Sequence, residues 1–282
     1  MAGSKRESFP IKRVFLALLA LVVLVLAQTA ATGIGELIYM ICGSAALCNS
    51  IAALLYPAAA LLGLWALCRW GLRAELSACR ITAPRLKPVW CVSAALLPAL
   101  VCGIYLLLPG HWAAAESRAD AGILITSGIL FTGFAVGIVE EAVFRGVLMT
   151  ALENRWGRGI AVLVPSILFG AVHIVGNELD ALSTVQLIAA GTMVGVMFSL
   201  VACESGNIWN GALMHAVWNS VMLAVLHIGP EADPGAFFSY VPESGSFLLT
   251  GGDFGVEASV ISVTAYALFA GLAWRLLRRK PA

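Results

Sequence analysis

The chain has 282 residues, of which 60% are hydrophobic and 12% charged, against roughly 25% charged in an average soluble domain. That balance excludes a solvated globular protein, and a net charge of +1 gives no sign of a nucleic-acid partner. Several apolar runs reach the ~20 residues that a bilayer-spanning helix needs. The fold class expected is an all-α, polytopic membrane helix bundle in contact with the lipid bilayer.

In chain order, spans are predicted near residues 13–32, 51–70, 89–108, 122–150, 159–176, 184–203, 207–227 and 256–275. With the N-terminus inside, Lys5, Arg6, Lys12, Arg13, Arg69, Arg73, Arg80, Arg85, Lys87, Arg145, Arg155, Arg158, Arg275, Arg278, Arg279 and Lys280 fall on the cytoplasmic side. Only Arg118 falls outside, so sixteen of the seventeen cations share one side, as the positive-inside rule requires. An odd change in span number would destroy that asymmetry. About eight transmembrane helices, with N- and C-termini cytoplasmic, are therefore expected. The run after Arg13 is read as a retained span, because its apolar core exceeds the ~7–15 residues of a signal peptide.

Residues 33–50 are apolar but carry Glu36 and Asn49, and read as an outer interfacial helix or a lengthened second span. Residues 71–88 read as a basic amphipathic connector along the anionic inner leaflet. Residues 228–255, rich in Gly and Pro, read as a solvated outer linker in preference to a substrate lid. The chain divides into three regions: 1–119, an N-terminal membrane region; 120–227, the chemical core; and 228–282, the outer loop and last helix. The seven cysteines form no C-x-x-C, and their odd number argues against a full disulfide framework.

The informative residues are those that lipid should reject. Glu140, Glu141 and Arg145 lie inside the fourth span, where a charge costs roughly 2.5–3.5 kcal/mol at mid-helix. Glu141 and Arg145 are i and i+4 and can pair on one face, whereas Glu140 has no partner in its own helix. His173, His215 and Asn219 are the other deep polar groups. At 1.5 Å per residue, Glu140, His173 and Asn219 lie ~18–20 Å from the cytoplasmic ends of their helices, and His215 ~10 Å. Phe169 and His173 share a helix face, as do His215 and Asn219. Gly133 with Gly137, Gly170, and Gly191 with Gly195 would let neighbouring helices approach closely.

A carboxylate and an imidazole at one depth can activate water, and His215 and Asn219 can donate to an oxyanion. Glu140, His173 and His215 could instead hold one divalent metal such as zinc, since two His and a carboxylate suffice. The zincin motif H-E-x-x-H and the G-x-S-x-G elbow are absent, and Asp120 and Asp180 fall in outer loops, which excludes an intramembrane aspartate dyad. His111 and His227 read as surface residues.

Glu140-Glu141-x-x-x-Arg145, Phe169-x-x-x-His173 and His215-x-x-x-Asn219 together resemble the three-motif signature of the CAAX-protease and bacteriocin-processing family of intramembrane endopeptidases. The resemblance covers roughly residues 120–227. It implies a multi-pass protein of a bacterial plasma membrane that cuts membrane-bound or lipid-modified peptide or protein substrates. It also implies that Glu140 and His173 activate the hydrolytic water while His215 and Asn219 stabilise the oxyanion. Glu141, Arg145 and Phe169 match supporting motif positions. The family is commonly labelled metalloprotease, though a metal-free glutamate mechanism has been argued for it. A non-catalytic immunity or scaffold protein of the same fold has no need of the full Glu-His-His-Asn set. A proton-coupled transporter would be expected to show repeat symmetry, which is not evident here.

Overall fold

The computed structural model describes residues 10–279; Lys5, Arg6 and Lys280, assigned above to the cytoplasmic termini, lie outside the described residues. Within them the chain is a helical membrane-type bundle. The main helices are α1 (Ile11–Cys42), α2 (Ala45–Leu72), α3 (Pro88–Leu107), α4 (Ala121–Trp156), α5 (Arg158–Val172), α6 (Ala181–Ser205), α7 (209–225) and α8 (Val260–Arg278). Six of these, α1–α4, α6 and α8, are long and apolar enough to cross a membrane. Helix α5 has 15 residues, about 22 Å, and α7 joins an 11-residue α-helix to a 6-residue π-helical turn. Both are shorter than the ~20 residues of a full crossing.

Residues 33–50 form neither an interfacial helix nor part of the second helix alone. Helix α1 runs on to Cys42, and Gly43, at φ 67°, turns the chain. Ser44 then caps α2 by accepting the Leu47 N–H. The first residue after Gln28 suited to a left-handed turn and followed by a capping side chain is Gly43. The hairpin therefore forms there rather than near residue 32.

The 71–88 connector is pinned to the bundle. Arg80 pairs with Glu153 and donates to Thr150 Oγ1 at 2.7 Å, both on α4. Lys87 pairs with Glu204 of α6 at 2.6 Å, and its backbone N–H donates to Asn210 Oδ1 of α7 at 2.8 Å. Trp209 Nε1 donates to the Thr82 carbonyl oxygen at 2.6 Å.

The 228–255 segment is likewise folded, not a solvated linker. Strands β1 (Gly110–Ala113), β2 (Leu226–Ile228) and β3 (Phe238–Pro242) make a sheet of order β1-β3-β2. β1 is antiparallel and β2 parallel to β3. Tyr240 is buried and its hydroxyl donates to the Leu108 carbonyl oxygen at 2.8 Å. After β3, short turns at Phe247–Thr250, Gly252–Phe254 and Val256–Ala258 fold back over the bundle end. Tyr105 donates to the Leu249 carbonyl oxygen, and Asp253 Oδ2 accepts the Asp180 N–H at 3.0 Å. Asp180 itself caps α6 by accepting the Ser183 N–H at 2.6 Å. That bond holds its carboxyl below the usual carboxylate range.

Two large apolar cores result among the described residues, with a small third of Met149, Leu152 and Ala161 between α4 and α5. One joins α1, α2 and the connector to α4; the other joins α3, α6, α7, α8 and the strands. Helix α4 belongs to the first and α7 to the second, and the polar residues singled out above lie where they face each other.

Candidate active site

Helix α4 carries the acidic motif on a short α-helical stretch, Val136–Glu141, between π-helical stretches Leu124–Ala135 and Ala142–Leu148. π turns are rare and concentrate at functional sites. The small residues of α4 are what bring α7 close. A Cβ on Gly137 would stand 3.1 Å from Ala216 N, and one on Gly133 would stand 2.2 Å from Ser220 Oγ. A second seam joins α5 to α6, where a Cβ on Gly191 would be 2.5 Å from Gly170 Cα. These are the G-x-x-x-G positions of the sequence, and each holds two site-bearing helices together.

Glu141 and Arg145 pair as the i, i+4 spacing requires, at 2.9 Å, with both side chains fully buried. Arg145, counted above with the cytoplasmic cations, has no exposed part. Its Nη2 donates to the Gly195 carbonyl oxygen at 3.3 Å. The guanidinium lies 4.4 Å from the Phe169 ring centroid, a contact that partly compensates the nitrogens left without hydrogen bonds. The same Glu141 oxygen stands 3.4 Å from His215 Nδ1. Glu141 thus has a definite neighbour in the site, where the sequence offered it only a supporting position.

His215 stacks on Phe198 with centroids 5.0 Å apart and planes 16° apart. Its Nε2 faces Glu140 Oε2 at 3.7 Å, beyond hydrogen-bond reach. Glu140 Oε2 is buried with no hydrogen-bond partner among the described residues. With a carboxylate facing each ring nitrogen, His215 is disposed to donate from both.

His173 stands at the end of α5, not within a span reaching residue 176. The apolar Ile174-Val175 extended the hydropathy signal, but the helix stops at Val172. Its Nδ1 lies 2.6 Å from the Phe169 carbonyl oxygen. A carbonyl only accepts, so Nδ1 carries the proton and Nε2 keeps its lone pair. The Asn177 side chain donates to the His173 carbonyl oxygen at 2.8 Å. Phe169 packs against His173 at 4.7 Å and His215 at 5.9 Å. Asn219 Nδ2 donates to the Thr132 carbonyl oxygen at 3.0 Å, tying α7 to α4.

Glu140, Phe169, His173, His215 and Asn219 all line one cavity of about 380 Å³. Its other walls include Asn177, Phe254 and Glu257, so it lies toward the bundle end opposite Arg80, Arg155 and Arg158. Glu257, Trp218, Tyr266 and Phe254 also line it, and sequence reading missed all four. Glu257 was placed at the start of the last span, where an acid should have drawn notice; the aromatics had no signal beyond ordinary core pattern. Glu140, His173 and His215 do not make a metal centre: no group of three or more His, Cys, Asp or Glu side chains stands in ligating positions among the described residues.

No curated protein and no solved structure matches the chain significantly. Residues 122–221 match the model of the family described as Type II CAAX prenyl endopeptidase Rce1-like. The matched stretch holds Glu140, Glu141, Arg145, His173, His215 and Asn219, and its likeness to Rce1-like type II CAAX prenyl endopeptidases agrees with the resemblance that their motifs carry.

Proposed function

We propose that the chain is an intramembrane endopeptidase that hydrolyses a peptide bond of a membrane-associated or lipid-modified substrate. The carrying observation is that a carboxylate with an oxygen free of hydrogen bonds, two imidazoles and a carboxamide line one cavity. Glu140 and the free Nε2 of His173 take a proton from water, whose oxygen attacks the scissile carbonyl carbon. The resulting oxyanion accepts a hydrogen bond from His215 Nε2–H, held in orientation by Glu141, with the Asn219 amide alongside. The C–N bond breaks as the stored proton passes to the leaving amine, giving a free carboxylate and amine. No step is routed through a metal.

In the same reading residues 120–227 are the catalytic core, and residues 1–119 and 228–282 wall it in. The chain crosses a bacterial plasma membrane eight times with both termini cytoplasmic, α5 and α7 being the short crossings. The positive-inside distribution supports that frame, which turns the cavity toward the outer leaflet.

The test is cleavage of a quenched-fluorescence hydrophobic peptide by the full chain in proteoliposomes. Glu140→Gln and His173→Ala are each expected to lower the rate by at least about 100-fold while inserting and melting as the parent does. Cleavage that persists in either variant overturns the assignment.

A further inference from the structure

The cavity walls bear on which peptide the site takes, a question that presupposes the endopeptidase reading. Glu257 reaches the cavity from the turn ahead of α8. Its Oε1 accepts from Trp218 Nε1 at 2.5 Å, and its backbone carbonyl accepts from the Tyr266 hydroxyl at 3.2 Å. The residue is therefore held in place from α7 and α8, and no Lys or Arg pairs with it among the described residues.

Glu141 is matched by Arg145 and Glu140 faces His215 Nε2 at 3.7 Å, whereas Glu257 has no such basic partner, and no Lys or Arg lines the cavity. A lysine or arginine side chain would meet Glu257, with the rings of Phe254, Trp218 and Tyr266 beside its methylene stem. We propose that Glu257 is a specificity-determining residue that selects peptides with a basic side chain near the scissile bond.

Burial pushes the Glu257 carboxyl above the usual carboxylate range, against the Trp218 hydrogen bond, which lowers it. A bound cation favours the ionised form.

The probes are three end-blocked, dye-labelled hydrophobic peptides that differ only in a central lysine, norleucine or glutamate. Binding is measured to the full chain in detergent carrying His173→Ala, which under the proposed mechanism binds without turnover. The lysine peptide is expected to bind about ten-fold or more tighter than the norleucine peptide, in the range of a charge-assisted hydrogen bond. The glutamate peptide is expected to bind weakest. Glu257→Gln keeps an oxygen for Trp218 and removes the charge, so the preference should vanish. Glu257→Lys should reverse it toward the glutamate peptide. Equal or absent binding of the three peptides, or a preference that survives Glu257→Gln, overturns the proposal. Cleavage by the chain with His173 intact reports separately: selective binding without cleavage sinks the endopeptidase reading, and cleavage without selectivity sinks only the role of Glu257.

Discussion

Glu141 Oε1 and His215 Nδ1 face each other at 3.4 Å across the α4–α7 seam, and the same oxygen stands 2.9 Å from Arg145 Nη1. One oxygen thus balances a buried guanidinium and orients an imidazole. A Cβ on Gly211 would come within 2.8 Å of the other Glu141 oxygen, so the α7 backbone closes over the carboxylate. Glu141→Gln keeps the shape and removes the charge. On the proposed mechanism it should lower kcat by about 100-fold, the scale of one lost oxyanion donor, with KM little changed. An unaltered kcat in the proteoliposome assay would show that the contact is idle.

Removing Arg145 leaves Glu141 charged and fully buried. Breaking a buried pair in this way costs about 3–5 kcal/mol, so Arg145→Ala should insert but melt far below the parent in detergent. The double variant Glu141→Gln/Arg145→Met should regain much of that stability without regaining activity. Parent-like melting of Arg145→Ala would count against the pair as a structural element.

The α5–α6 seam gives a purely steric test. A Cβ on Gly191 would sit 2.5 Å from the Gly170 Cα, whereas one on Gly271 of α8 meets nothing within 4 Å. Gly191→Ala should therefore cost about 1–3 kcal/mol by overpacking and reduce cleavage, because α5 carries His173. Gly271→Ala should be neutral in both. Thermal unfolding of the two variants side by side decides it.

Glu257 offers a pH test. Its folded-state carboxyl is raised by burial above an unfolded value near 4.3. The folded chain therefore binds more protons than the unfolded one between those two values, and Glu257 destabilises it increasingly as pH rises through the folded value. Glu257→Gln should melt higher than the parent at alkaline pH, with the difference shrinking as pH falls toward the unfolded value. A difference independent of pH would contradict the buried carboxylate as its source.

The orientation of the cavity is open to labelling. With the exposed Cys42 and Cys91 replaced by alanine, Phe254→Cys should react with an impermeant thiol reagent from the side opposite to Arg158→Cys in oriented vesicles. Labelling of both from one side would contradict the proposed frame.

Hydropathy alone announced every main helix, because an apolar run in lipid has no alternative to helix. Their ends were less legible. Gly43 displaced the first hairpin by ten residues, and α5 ended at Val172 although Ile174 and Val175 continued the apolar run. The β1–β3 sheet was invisible because its strands are short and far apart in sequence, and their pairing is a tertiary event.

From the sequence came the chemistry of the candidates: Glu140, Glu141, Arg145, His173, His215 and Asn219 stood out because charge and imidazole are costly in hydrocarbon. Only the folded chain decided how they are arranged. Which Glu141 oxygen serves both Arg145 and His215, which nitrogen of His173 keeps its lone pair, and how Glu257 enters from a remote turn all depend on helices separated by many residues. Composition reports the cost of burying a polar group, but its compensation comes from partners that local spacing does not specify.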